Sequence, residues 1–129
     1  MLVKPSTKEL TLIHSVDTSV YTLNYNSFYS DYDKLYHVME LENEYLKSHK
    51  EECIHLCTLF YNTNVTSEVI EQYIHQLLTY KDTIDKIAIV GIPVNERPVF
   101  RLKLVKEDRN PFHYQFFSSV KSALDWLNR

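Results

Sequence analysis

Cys53, His55 and Cys57 alternate along one short run, CIHLCTLFY (53–61), and thiolate and imidazole are ligands that zinc prefers. On an extended chain alternate residues share a face, yet neighbouring members stand roughly 7 Å apart and the two cysteines about 13 Å apart, at about 3.3 Å per residue. A tetrahedral ion needs four convergent donors, and these three diverge even with His49 shortly before them. The same spacing is too wide for a disulfide within one strand. Both thiols sit in apolar sequence, whereas a reactive cysteine needs an electropositive, partly exposed setting. They read as reduced core cysteines of a cytoplasmic protein, with no bound metal.

A second group is hydroxylic. Thr63, Thr66 and Ser67 precede an apolar helical pattern and form a candidate phosphoacceptor cluster. Helix capping accounts for the same residue types, because a Ser or Thr oxygen accepts from the first free backbone N–H groups.

A third group is aromatic. Ten tyrosines are many for 129 residues, and Tyr25, Phe28, Tyr29, Tyr32 and Tyr36 crowd one region together with Tyr21. Tyrosine has an apolar body and a polar tip, so the cluster suits an interface and equally suits a roof over the core. Arg97, Arg101, Lys103, Lys106 and Arg109 are locally basic, broken by Glu107 and Asp108. Such a stretch fits an acidic partner or a lipid headgroup, although mixed-sign charge is the surface default. The reciprocal excess lies in Asp31 to Glu52, with seven acids against three lysines. The six histidines show no spacing with Asp or Ser that marks a triad, and no catalytic residue is assigned.

These groups need elements to place them. Glu9–Val16 and Ser19–Tyr25 alternate apolar and polar residues around Asp17-Thr18 and predict a β-hairpin. Ser30 reads as an N-cap, with Asp31 and Asp33 where the helix dipole favours anions. Leu35, Val38, Met39, Tyr45 and Leu46 follow at helical spacing, which predicts an amphipathic helix of about five turns. Cys53–Tyr61 is almost continuously apolar, as a strand covered on both faces would be. After Asn62-Thr63-Asn64, Thr66 or Asn64 caps a second helix buried through Val69, Ile70, Tyr73, Ile74, Leu77 and Leu78. Val65 and Ile70 are placed for a hydrophobic staple across that cap.

Lys86–Val90, closed by Gly91, predicts another buried strand. Two readings stand for 98–105: Phe100, Leu102 and Leu104 alternate as on a strand, while Pro98 suits the first turn of a helix. His113–Phe117 is a short strand, and Ser118 or Ser119 caps a closing helix with Ala123, Leu124 and Leu127 inward. Helices alternating with strands after a hairpin predict an α/β fold, a mixed sheet carrying about three to four helices.

Composition sets the outer limits. One domain over 1–129 suits the length, and 44% hydrophobic with 24% charged residues is ordinary globular usage. Gly91 is the only glycine, which excludes the glycine-rich loops that cradle phosphates and dinucleotides. A net charge of −3 gives no electrostatic case for nucleic acid. No apolar run approaches the roughly 20 residues that span a bilayer, so no membrane insertion is expected. Met1 to Leu12 lacks an apolar core, so no secretory signal is expected.

The stretches CIHLCTLFYNTNVTSEVI (53–70), KIAIVG (86–91), PVFRLKLV (98–105) and FHYQFFSSVKSALDWL (112–127) resemble STAS domains, the sulfate-transporter and anti-sigma-factor-antagonist type. They are most similar to the small stand-alone STAS-like proteins of bacteria, over about three-quarters of the chain. The resemblance implies a four- or five-stranded sheet packed by helices, a cytoplasmic location, a non-enzymatic role and a helical segment around 92–105. In regulatory members a Ser or Thr at the start of the second helix accepts phosphate; the matching stretch here is Thr63 to Ser67. The family's Asp-Ser-Ser-Gly pattern is replaced, since Glu68 and Val69 follow Ser67, and the neighbouring acid opposes an added phosphate. The expectation is therefore a non-catalytic regulatory module that binds a protein partner or a second copy of itself, without a cofactor. The alternative is a carrier for a small apolar, lipid-like ligand held between sheet and helices; an enzyme ranks last.

Overall fold

The computed structural model describes residues 13–14, 20–48, 54–79, 81–108 and 112–128. Five strands, β1 (Ile13–His14), β2 (Val20–Asn24), β3 (Ile54–Leu59), β4 (Ile84–Val90) and β5 (His113–Phe117), form one sheet in sequence order. β1 runs antiparallel to β2, and the remaining neighbours are parallel. The fold is α/β, with helices α1 (Tyr32–Ser48), α2 (Ser67–Thr79), α3 (Arg97–Glu107) and α4 (Val120–Leu127).

Each parallel step needs a crossover, and steps of one hand taken in one direction place their helices on the same face. Accordingly Leu35 of α1, Ile70 and Tyr73 of α2, and Phe100 of α3 share one core with Leu56, Ile87 and Ile89 of the sheet. The alternate strand residues Val20, Cys57, Ala88 and Val90 face the other way, against Ala123 and Leu127 of α4. Both faces are covered, which explains the unbroken apolar runs in β3 and β4. Leu59 is only half-buried, because the eight-residue α4 spans about 12 Å and does not roof the whole face.

The predicted elements are found among the described residues, with two corrections to their bounds and caps and two open alternatives settled. α1 starts one residue later than a Ser30 cap requires: the Asp31 carboxylate accepts from Lys34 N at 3.3 Å, while Ser30 Oγ accepts from Asn64 Nδ2 at 2.7 Å. Ser30 is drawn away by the neighbouring loop, leaving the cap to Asp31. β4 begins at Ile84 rather than Lys86, and a register shift opposite Ile54 and His55 accommodates the extra residues. Residues 97–107 form a helix, since Phe100 and Leu104 lie four apart and are both buried, while Leu102 is 69% exposed. Ser119, not Ser118, caps α4 by accepting from Ser122 N at 3.2 Å. Thr66 caps α2 through Val69 N at 3.2 Å, and Val65 and Ile70 join the same apolar cluster beside it. The hairpin turn Asp17-Thr18 and Cys53 lie outside the described residues.

A layer of polar groups crosses the larger core. The Tyr25 hydroxyl lies on the Gln76 amide, 2.9 Å from Nε2 and 3.1 Å from Oε1, and Gln76 Nε2 donates weakly to Met39 O at 3.4 Å. Thr58 Oγ1 and the Tyr73 hydroxyl are 2.5 Å apart, both fully buried. These bonds tie β2 and β3 to α2 and α1 with geometry that apolar packing alone does not specify.

Candidate functional site

Parallel strands present their carboxyl ends on one edge of the sheet, and the loops that follow them lie side by side there. After β2 the chain reads Tyr25-Asn26-Ser27-Phe28-Tyr29-Ser30; after β3 it reads Phe60-Tyr61-Asn62-Thr63-Asn64. Asn24 and Leu59 are register partners at the ends of β2 and β3, and the two loops keep pairing beyond them. Tyr25 N donates to Leu59 O (2.8 Å), Ser27 N to Tyr61 O (2.7 Å) and Tyr29 N to Asn62 O (2.9 Å). Asn64 N returns a bond to Tyr29 O at 2.8 Å, and Tyr29 and Thr63 form an isolated parallel bridge.

Side chains close the remaining gaps. Asn26 Oδ1 accepts from Tyr61 N at 2.7 Å, Thr63 Oγ1 donates to Tyr25 O at 2.5 Å, and Phe28 N donates to Thr63 Oγ1 at 3.1 Å. The Tyr32 hydroxyl donates to Asn64 O at 3.2 Å, and the Tyr61 hydroxyl reaches Ser118 O at 2.8 Å. Ser27, Tyr29 and Asn62 hold left-handed backbone angles, with φ of 64°, 51° and 56°. Asparagine tolerates that region readily, whereas a tyrosine there is costly and persists because the surrounding bonds over-determine it.

The product is a rigid rim with a depression of about 840 Å³ lined by Asn24, Asn26, Ser27, Tyr29, Asp31 and Lys34 among others. Tyr29 projects from it at 61% exposure and Tyr61 stands nearby at 36%. Polar side chains dominate the lining, so the surface suits hydrogen-bonded contact better than an apolar ligand.

The residues singled out by sequence divide sharply here. Tyr25 is fully buried and serves the core, so of the aromatic group it has no surface to offer. Phe28, Tyr32 and Tyr36 are partly buried, with Tyr32 stacked on Tyr36 at 6.3 Å between centroids. Burial, assisted by Glu68, raises the Tyr36 hydroxyl above its ordinary value. Tyr29 alone of the five is an exposed projection. Of the hydroxyl cluster, Thr63 is buried and bonded to the β2 loop, Thr66 is the α2 cap, and Ser67 is exposed at the first turn of α2.

Cys57 is buried on the α4 side, and burial pushes its thiol up to about 11. His55 bonds Asp85 across β3 and β4 at 2.9 Å, and among the described residues no three His, Cys, Asp or Glu side chains gather to hold a metal. Among the described residues no helix is long and apolar enough to cross a membrane.

Asn24, Asn26, Asn62 and Asn64 carry the rim and were not singled out by residue chemistry. Their signal is the repeated spacing NYN (24–26) and NTN (62–64) directly after two strand patterns, where asparagine supplies local turn bonds and left-handed angles. The Asn24 side chain makes such a bond, accepting from Asn26 N at 3.0 Å. Neither family models nor curated proteins nor solved structures give a match to the chain.

Proposed function

We propose that this chain is a non-catalytic STAS-like module that works in the cytoplasm by binding another protein through the rim at the carboxyl edge of its sheet. The observation that carries the reading is Tyr29, held at 61% exposure on a left-handed backbone by bonds from the opposite loop. A large aromatic fixed in this way meets a partner with little further loss of conformational freedom. The five-stranded sheet and the helix at 97–107 are in keeping with what the STAS resemblance implies. Ser67 is the exposed hydroxyl that the α2 cap does not use, and it is the position where a regulatory phosphate would meet a helix N-terminus. The rim offers the hydrogen-bonding groups of Asn24, Asn26, Ser27 and Lys34, which supports contact with a protein partner.

The test is to replace Tyr29 with a photo-crosslinking phenylalanine analogue in the organism that makes the protein. The expected result is one adduct of defined mass, either with a different protein or with a second copy, that weakens when Tyr61 is changed to Ala. No adduct from position 29, together with a lipid retained in native mass spectrometry, would overturn the proposal in favour of a carrier.

A further inference from the structure

At the far side of the sheet from β1, β5 is the edge strand, and among the described residues no strand pairs with its outer side. An open edge leaves a row of backbone donors and acceptors that can template another extended chain. What lies above this edge gives the prospective strand a chemistry. α3 packs over β5 through Phe100, whose ring is 5.3 Å from that of Tyr114 and 5.4 Å from that of Phe116.

One turn along the same helix, Arg97 and Arg101 place their guanidinium carbons 5.4 Å and 5.2 Å from the centre of the Phe116 ring. Arg97 Nε is further fixed by Ile92 O at 3.2 Å. The ion pairs of this region use Lys81, Lys103 and His75; neither arginine meets a carboxylate among the described residues. Two planar cations are thus stacked in place over an open strand edge, with part of their ordering cost already met. Leu102 and Val105, at 69% and 58% exposure, leave an apolar ridge on the same helix.

We infer that the β5 edge and the α3 arginines form a docking site for an extended acidic segment of another protein, added as a sixth strand with carboxylates at alternate positions. Alternate side chains of an added strand recur about 6.6 Å apart on the α3 side of the sheet, within reach of two neighbouring guanidiniums. Each fork can take a carboxylate by two parallel hydrogen bonds. A second copy of this chain pairing β5 with β5 fits less well, because His113–Phe117 (HYQFF) carries no carboxylate to meet the arginines. An anionic membrane would use the cations but leave the strand edge unmet. The site lies at the edge strand two places beyond β3 and stands whether or not the rim has a partner.

The probe is a short fluorescent peptide alternating glutamate and valine, measured by anisotropy on the full chain, with amide exchange read over β5. Binding should slow exchange within His113–Phe117, and Arg101→Gln should weaken it by about tenfold or more while the melting temperature holds. Should that variant melt early, Arg101→Lys keeps the charge without the planar fork and should bind with intermediate strength. Binding of an alternating lysine–valine peptide as strong as the acidic one would overturn the inference. So would acidic-peptide binding that ignores both arginines. Phosphatidylserine vesicles, or a second copy, protecting this edge while the peptide fails to bind would equally overturn it, and would name the occupant instead.

Discussion

Gly91→Ala should be among the most costly single-atom changes the chain can receive. Gly91 follows directly on β4 with φ of 96°, in the region that residues other than glycine avoid. A Cβ placed there would stand 3.0 Å from both the Phe60 carbonyl carbon and Tyr61 N, and 3.2 Å from Phe60 N. All three atoms are backbone, so no side-chain rotation relieves the contact. The neighbour is also tied: Phe60 N donates to Val90 O at 2.8 Å, which is the bond that closes β3 onto β4 at this end.

Left-handed strain costs about 1–3 kcal/mol, and loosening one buried hydrogen bond adds about 1 kcal/mol. The expected loss is about 2–4 kcal/mol, a large part of the roughly 5–15 kcal/mol that holds a domain of this kind. With an unfolding entropy of about 2 cal/mol/K per residue, that lowers the melting temperature by about 8–15 °C. Urea unfolding followed by circular dichroism, with calorimetry for the midpoint, measures both quantities. A loss below about 0.5 kcal/mol would refute the reasoning, since it would mean that β3 and β4 can part here without cost. The same variant should disturb amide signals at Tyr61 and Asn62 more than those at Tyr73, because the displaced backbone leads into the rim.

Further outcomes follow from other parts of the structure. Tyr73→Phe leaves the buried Thr58 hydroxyl without its 2.5 Å partner and should cost about 1–3 kcal/mol; adding Thr58→Val should cost less than the two singles summed, measured as a double-mutant cycle. Thr66→Ala removes the α2 cap and should lower stability by about 1 kcal/mol in urea unfolding. Leu56→Ala opens a void in a fully buried strand position and should cost about 2–5 kcal/mol in the same assay. Burial raises Cys57 to about 11 and raises Tyr73 as well, so above their unfolded values the folded state keeps protons that the unfolded state releases. Stability should therefore be full below about pH 8.5 and fall as pH rises towards 11, by up to about 1.4 kcal/mol per unit for each group. Cys57→Ala should reduce that slope, and an unchanged slope would remove the thiol from the account.

The parts legible in the sequence were those fixed by local pattern. β3 and β4 announced themselves because Leu56, Cys57, Ile87 and Ala88 are buried on alternate faces, and an apolar run is the only pattern that serves both. α3 stayed ambiguous for a geometric reason. The triple Phe100, Leu102, Leu104 is a perfect alternation, yet it also contains the four-residue spacing of a helix, and only packing reveals that Leu102 is the outsider.

The site itself was hidden by distance along the chain. Tyr25 looked like a surface tyrosine beside Tyr29 because the partner of its hydroxyl, Gln76, is 51 residues away. Thr63 looked like a cap because the groups that claim it belong to the β2 loop, 35 and 38 residues earlier. Both assignments depend on the register that sets Asn24 beside Leu59, and no single segment carries that register. Once it is set, the alternation of β2 sends Tyr21, Leu23 and Tyr25 inward together, and the ladder runs on into the loops. The rim is then an extension of the sheet rather than a pair of independent turns. That is why a left-handed Tyr29 can be held out at the surface: the strain at one residue is borne by hydrogen bonds that begin in the core.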